Sequence, residues 1–274
     1  MNRLWEAVDV DFPEFRTEHR IIKIEDSHYI IGGYSPNGYQ NGMKRFVESS
    51  DMNNAFNLEE VDTPQTPRRS AHSTNLYQGN MYTFGGWNGL QSNSDLLRFN
   101  MEDKQWQAFE SEFNPTPRRS HVSCIYNGSM YIFGGWNDDV NNQVTNDVYR
   151  FDFELGQWSV EQIDGPRPCP RSRAGSVLYQ NRFVVYGGWD RTQYFSDWWE
   201  YDMDNRVWTC YDLDLPPVGQ HSMTLWKNQI LIFAGHDPST RAARNDTYIV
   251  HMGHPNRYMS KLGYSYESDH DDMA

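Results

Sequence analysis

Apolar residues along this chain fall into short runs separated by glycine, asparagine and acidic residues. Five runs end on a glycine pair or its Ala-Gly remnant: HYIIGG, NMYTFGG, SMYIFGG, RFVVYGG and QILIFAG. A short apolar run bounded by turn residues reads as a strand. The stretch around residues 120–162 parses in full. SHVSCIY is a strand, Asn127-Gly128 a hairpin turn and SMYIFGG the return strand; NDVYRFDF and QWSVEQ are a third and a fourth. Gln78-Gly79, Gln180-Asn181 and Lys227-Asn228 mark the equivalent turn elsewhere. The pattern predicts an all-β fold built from four-stranded units.

The units repeat. The glycine pairs begin at Gly32, Gly85, Gly134 and Gly187, with Ala234-Gly235 last, a period of roughly 50 residues. Thirteen residues before each pair stands His19, His72, His121, Ala174 or His221. Three residues earlier stands Arg16, Arg69, Arg118, Arg171 or Val218. A tryptophan follows the pair in three units, Trp106, Trp158 and Trp208, with Phe56 in its place once. Arg-x-x-His, then aromatic-x-[Phe/Tyr]-Gly-Gly, then Trp resembles the kelch repeat over roughly residues 1–252. The resemblance implies a kelch β-propeller, here with five four-stranded blades, since one blade cannot bury both its faces alone.

The last unit supplies three strands, around HSMTLW, QILIFAG and DTYIVHM, and no tryptophan strand follows. The N-terminal LWEAVDV carries that signature through Trp5. The expectation is that residues 3–10 complete the last blade and close the ring, so that the propeller occupies residues 1–253. Residues 254–274, ending SYESDHDDMA, read as an acidic mobile tail. The alternative is a partial ring completed by another chain.

Charge and composition narrow the function. The net charge of −13 argues against a general nucleic-acid or anionic-membrane binder. No run reaches the roughly 18 apolar residues of a membrane span. The start lacks a signal-peptide layout, and Cys124, Cys169 and Cys210 form neither a disulfide framework nor a zinc site. These features lead to the expectation of a reducing compartment, the cytoplasm or alternatively the nucleus, and the closed five-blade ring to that of a monomer. The sequons at Asn127 and Asn245 are read as chance. No Walker A loop, GxSxG elbow or HExxH helix is found, and His251 with His254 lacks an acidic partner. No cofactor, metal or catalytic residue is assigned.

Two residue types gather on one predicted face. Arginines come from PRRS at 67–70 and 117–120 and PRSR at 170–173; aromatics directly after the glycine pairs are Tyr34, Trp87, Trp136 and Trp189, with His236 in the fifth unit. The turns of the other face carry Glu102, Asp103, Glu154, Asp202 and Asp204. Arg16, Arg69, Arg118 and Arg171 belong to the repeat and are assigned to structure, as are His19, His72, His121, His221, Trp5, Trp106, Trp158 and Trp208. Arg68, Arg119 and Arg173 lie outside the column and are free for binding. In kelch substrate receptors the pocket residues precede the histidine column, which here implies Ser70, Arg119, Ser120, Arg173 and Gln220.

The expected function is non-catalytic protein recognition. A short acidic or carboxylate-bearing peptide would be gripped by Arg119 and Arg173, helped by Arg68, Ser70, Ser120 and Gln220. Tyr34, Trp87, Trp136 and Trp189 would wall the site. The resemblance extends to substrate adaptors of cullin-RING ubiquitin ligases, although no adaptor-binding box is evident in the sequence. A cytoskeletal scaffold binding through blade sides and a propeller isomerase or lyase are the alternatives.

Overall fold

The structure, a computed structural model, describes residues 16–48, 56–63, 67–138, 143–233, 235–236, 246–252 and 258–262. Among these, every regular element is a strand. The strands form five four-stranded antiparallel sheets, the blades of a β-propeller. The first blade comprises Arg20–Ile24, Ser27–Ile31, Met43–Glu48 and Phe56–Glu60, with the small Tyr34–Ser35/Gly38–Tyr39 hairpin inserted. The second comprises Ser73–Tyr77, Asn80–Phe84, Leu96–Asn100 and Gln105–Phe109, and the third Val122–Tyr126, Ser129–Asn137, Gln143–Asp152 and Gln157–Val160. The fourth comprises Gly175–Tyr179, Arg182–Tyr186, Trp198–Asp202 and Val207–Tyr211, and the fifth Ser222–Trp226, Gln229–Phe233, Thr247–His251 and Tyr258–Leu262. The chain divides into two compact units at Ser172/Arg173, the first with three blades and the second with two.

The predicted hairpins form for the expected reason. Val122–Tyr126 pairs with Ser129–Asn137 so that Tyr126 faces Ser129. The two turn residues between them, Asn127 and Gly128, both adopt positive φ (44° and 73°). That conformation matches the strand twist and favours Asn-Gly. In the second and fourth blades the strand leading to the glycine pair is buried over its last four residues: Met81, Tyr82, Thr83 and Phe84, and Phe183, Val184, Val185 and Tyr186.

The core lies between blades. In the first unit Ile31 and Met43 pack on Met81 and Phe99. Tyr82, Phe84 and Leu96 of the second blade meet Met130, Ile132, Phe151 and Trp158 of the third. In the second unit Val184, Tyr186 and Trp198 meet Ile230, Ile232, Tyr248 and Val250. The tryptophan column contributes unequally. Trp158 is 5% exposed, with Phe84 and Phe151 at 5.0 and 5.2 Å, and Trp208 is buried against Tyr201 at 5.0 Å. Trp106 is only half-buried, 4.9 Å from Phe99. Trp198 enters the core between the fourth and fifth blades while the adjacent Trp199 turns to Trp208, as alternation along a strand requires.

One assignment from the sequence is corrected. The outer position of the fifth blade is taken by Tyr258–Leu262, whose Leu262 faces Thr247 and whose Tyr258 faces His251. The repeat pattern assigns that position to residues 3–10 and the residues from 254 on to a tail. YMSKL has no tryptophan, so the repeat column did not mark it, yet Met259 packs on the core between the fourth and fifth blades. Residues 3–10, with Trp5, lie outside the described residues, as does the rest of the acidic tail.

Candidate functional site

The residue two positions before each histidine pairs with the aromatic after the glycine pair. Thr17 pairs with Tyr34, Ser70 with Trp87, Arg119 with Trp136 and Gly219 with His236. In the first three the backbone hydrogen bonds are reciprocal, at 2.8–3.0 Å. In these four blades the loop before the histidine column is therefore joined by the main chain to the loop after the glycine pair. The next residue, immediately before the histidine, is left-handed in every blade: Glu18, Ala71, Ser120, Arg173 and Gln220 have φ of 57°, 53°, 53°, 59° and 59°. A non-glycine residue in that region costs on the order of 1–2 kcal/mol. The conformation lets one blade bond the next: Ala71 N–H donates to the Glu18 carbonyl, Ser120 N–H to that of Ala71 and Gln220 N–H to that of Arg173.

The glycine pair is required by close approach. At Gly86 (φ +91°) a Cβ would lie 2.6 Å from the Ser70 carbonyl oxygen and 2.7 Å from the His72 Cβ. Its N–H donates to the carbonyl of Arg118 in the next blade, and Gly135 repeats the bond to Arg171. The repeat arginines hold the same junction from their side chains. Arg69 donates to the Gly85 carbonyl (3.0 Å) and grips Asp95 at 2.9 and 3.2 Å. Arg118 does the same with Gly134 (2.9 Å) and Asp147 (2.7 and 3.1 Å). Arg16 reaches the Gly32 carbonyl and Arg171 the Cys169 carbonyl. His72, His121 and His221 are buried beneath these loops. Burial holds their pKa well below the ordinary imidazole value, His221 to about 3, and Arg20 and the repeat arginines oppose protonation of His72 and His121 further. His121 bonds Ser73 Oγ at 2.8 Å.

In the first unit the candidate binding residues separate into groups with different partners. The Arg119 guanidinium lies over the Trp87 ring at 4.2 Å and over the Trp136 ring at 5.4 Å. Its Nη1 donates to Asp138 Oδ2 at 3.0 Å, and Ser92 Oγ donates to the same oxygen. Ser70 is buried and its hydroxyl donates to Glu18 Oε2 at 3.0 Å. Tyr34 is exposed and packs on Tyr39, Ser120 is half-buried, and Arg68 is exposed.

In the second unit the Arg173 guanidinium lies 5.1 Å from the centre of the Trp189 ring. Trp189 stacks on Tyr194 (6.2 Å) and Tyr194 on His236 (5.7 Å), with the Tyr194 hydroxyl 3.2 Å from His236 Nδ1. Arg173 is half-buried and has no ion-pair partner among the described residues, and Gln220 is exposed. Sequence reasoning missed Asp138, Ser92 and Tyr194. An available signal was the repeat offset: Ser92 and Tyr194 each stand five residues after a post-glycine tryptophan, and each forms a bridge to it.

The turns between third and fourth strands are acidic as expected, with Glu102, Asp103, Glu154 and Asp204 exposed. Asp202 differs: it is buried, and its carboxylate accepts the Asp204 and Asn205 N–H groups and pairs with Arg182. Burial raises its pKa, but these bonds outweigh burial and hold it below the usual carboxylate value. The three cysteines are unbridged.

Comparison with known proteins agrees with this architecture. The sequence profile described as "KLHDC2/KLHL20/DRC7 Kelch-repeats domain" matches residues 2–188 and 126–261. Leucine-zipper-like transcriptional regulator 1 of Mus musculus is 37% identical over 179 residues, 61% of this chain and 21% of the mouse protein. Its Drosophila melanogaster homolog is 34% identical over 159 residues, 55% of this chain and 16% of the fly protein. Ras guanine nucleotide exchange factor F of Dictyostelium discoideum is 30% identical over 147 residues, 52% of this chain and 13% of that protein. The matched segments thus span between 13% and 21% of these relatives' lengths. With its repeat columns, its five blades and this profile in agreement, the chain belongs to the kelch-repeat family.

Proposed function

We propose that this propeller is a protein-interaction module that captures a short acidic segment or chain terminus of a partner. The observation that carries the reading is Arg173. It is held in a left-handed backbone position beside Trp189, and no carboxylate among the described residues pairs with it. A guanidinium set against an indole ring offers its planar fork to a carboxylate while its face stays stacked. Gln220, one blade further on in the same backbone position, adds an exposed amide. Kelch-family membership supports the interaction role in general. A part in substrate selection for a ubiquitin ligase is the finer form of the same proposal.

The test is a binding screen with fluorescent peptide pools, acidic and neutral, each with a free or an amidated C-terminus. Wild type is expected to select acidic or free-carboxylate peptides. Arg173→Ala, folded by circular dichroism, is expected to bind them about tenfold more weakly or worse, the loss of one charge-assisted hydrogen bond. Equal binding by the two proteins moves the weight to a scaffold that docks through blade sides.

A further inference from the structure

The first unit contains a carboxylate receptor that is already filled. Two hydrogen-bond donors from different blades converge on one oxygen, Asp138 Oδ2: Arg119 Nη1 of the third blade at 3.0 Å, and Ser92 Oγ of the second. Trp87 and Trp136 flank the guanidinium. Arg119 and Asp138 are 24% and 22% exposed, so the pair sits at the surface with one side open to water. Ser92 is buried and fixed by its backbone bridge to Trp87.

We infer that Asp138 is an internal competitor for an incoming ligand carboxylate at Arg119 and Ser92. Its carboxylate occupies the position that a partner's acidic side chain or terminus would take. A tethered group competes at a high effective concentration, so a free ligand must displace it. The receptor does not depend on Asp138 for its shape. Arg119 is stacked on two rings and bonded through its backbone to Trp136, so its guanidinium stays in place when the carboxylate leaves. Arg173 of the second unit, without such a carboxylate, is the contrasting case. This inference rests on the reading of an acid-binding module and names the residue that sets ligand selection within it.

The experiment uses the full chain and a fluorescent octaglutamate peptide with a free C-terminus. Asp138→Ala vacates both donors and is expected to bind this probe about tenfold more tightly than wild type. Adding Arg119→Ala to that background should abolish the gain. Glu102→Gln, which removes one charge from an exposed distant turn, should leave binding within about twofold of wild type, because salt screens remote charges. If Asp138→Ala does not fold, Asp138→Asn takes its place. The inference is overturned if the Asp138 variant binds no more tightly than wild type, or if the gain survives without Arg119. Its failure is separable from that of the wider reading. Loss of wild-type binding in Arg173→Ala with no gain in Asp138→Ala rejects the competitor and keeps the module. A gain in Asp138→Ala with Arg173→Ala unchanged keeps the competitor and rejects the part given to Arg173.

Discussion

Neighbouring arginines at 118 and 119 have opposite circumstances. Arg118 is fully buried, and its donors are spent on the Gly134 carbonyl, both oxygens of Asp147, and the carbonyl and hydroxyl of Thr116. Arg119 is partly open, stacked on indoles and bonded to one carboxylate. Removing Arg118 leaves buried acceptors without a donor. Arg118→Ala should therefore cost on the order of 3 kcal/mol, the lower part of the range for breaking a buried pair, because Asp147 is 30% exposed and water can reach it. Arg119→Ala should cost about 1 kcal/mol or less. Urea denaturation of the two variants checks this. Equal costs would remove the distinction between an arginine that builds the blade junction and one that is available to a ligand.

Elements differ as much as residues do. Trp158 is clasped by Phe84 of the adjoining blade and Phe151 of its own, whereas Trp106 leans on Phe99 and faces water on one side. Trp158→Ala should cost on the order of 3–5 kcal/mol, as large aromatic truncations in cores do, and Trp106→Ala distinctly less. A larger loss at Trp106 would contradict the packing described here. The repeat columns made the blades legible because each column closes a recurring bond: the second glycine to a neighbouring carbonyl, the arginine to the loop that carries that glycine. YMSKL escaped notice because an edge strand needs only to pair with Thr247–His251 and place Met259 inward. The residues of the candidate site were legible in the same measure. Arg119, Arg173 and the post-glycine aromatics stood out as departures from or additions to the repeat. Their partners did not, since Ser92 and Asp138 lie 46 residues apart and Ser70 and Glu18 lie 52 apart, each pair joined across blades by side chains outside any column.

For the whole molecule, the buried histidines set a limit in acid. His72, His121 and His221 are neutral in the fold, with pKa values depressed chiefly by burial. Unfolded, each takes up a proton near pH 6.5. The stability they allow is therefore complete above about pH 6.5 and declines as pH falls toward the folded values, about 3 for His221. Each contributes up to about 1.4 kcal/mol per pH unit in that window. Melting temperature should be flat from pH 8 to about 7 and fall steeply below about 6. Replacing His221 by Gln should make the acid side of that curve shallower; an unchanged slope would mean that His221 is protonated within the fold. Side-chain identity and backbone frame are separated at the position two before the histidine column in four of the blades. Thr17, Ser70, Arg119 and Gly219 differ in size, polarity and charge, yet their main chains occupy the same pairing with the aromatic opposite. Where the side chain reaches water, as at Thr17 and Arg119, its replacement leaves that pairing intact, so the chemistry of the surface can drift between lineages at little risk to the scaffold.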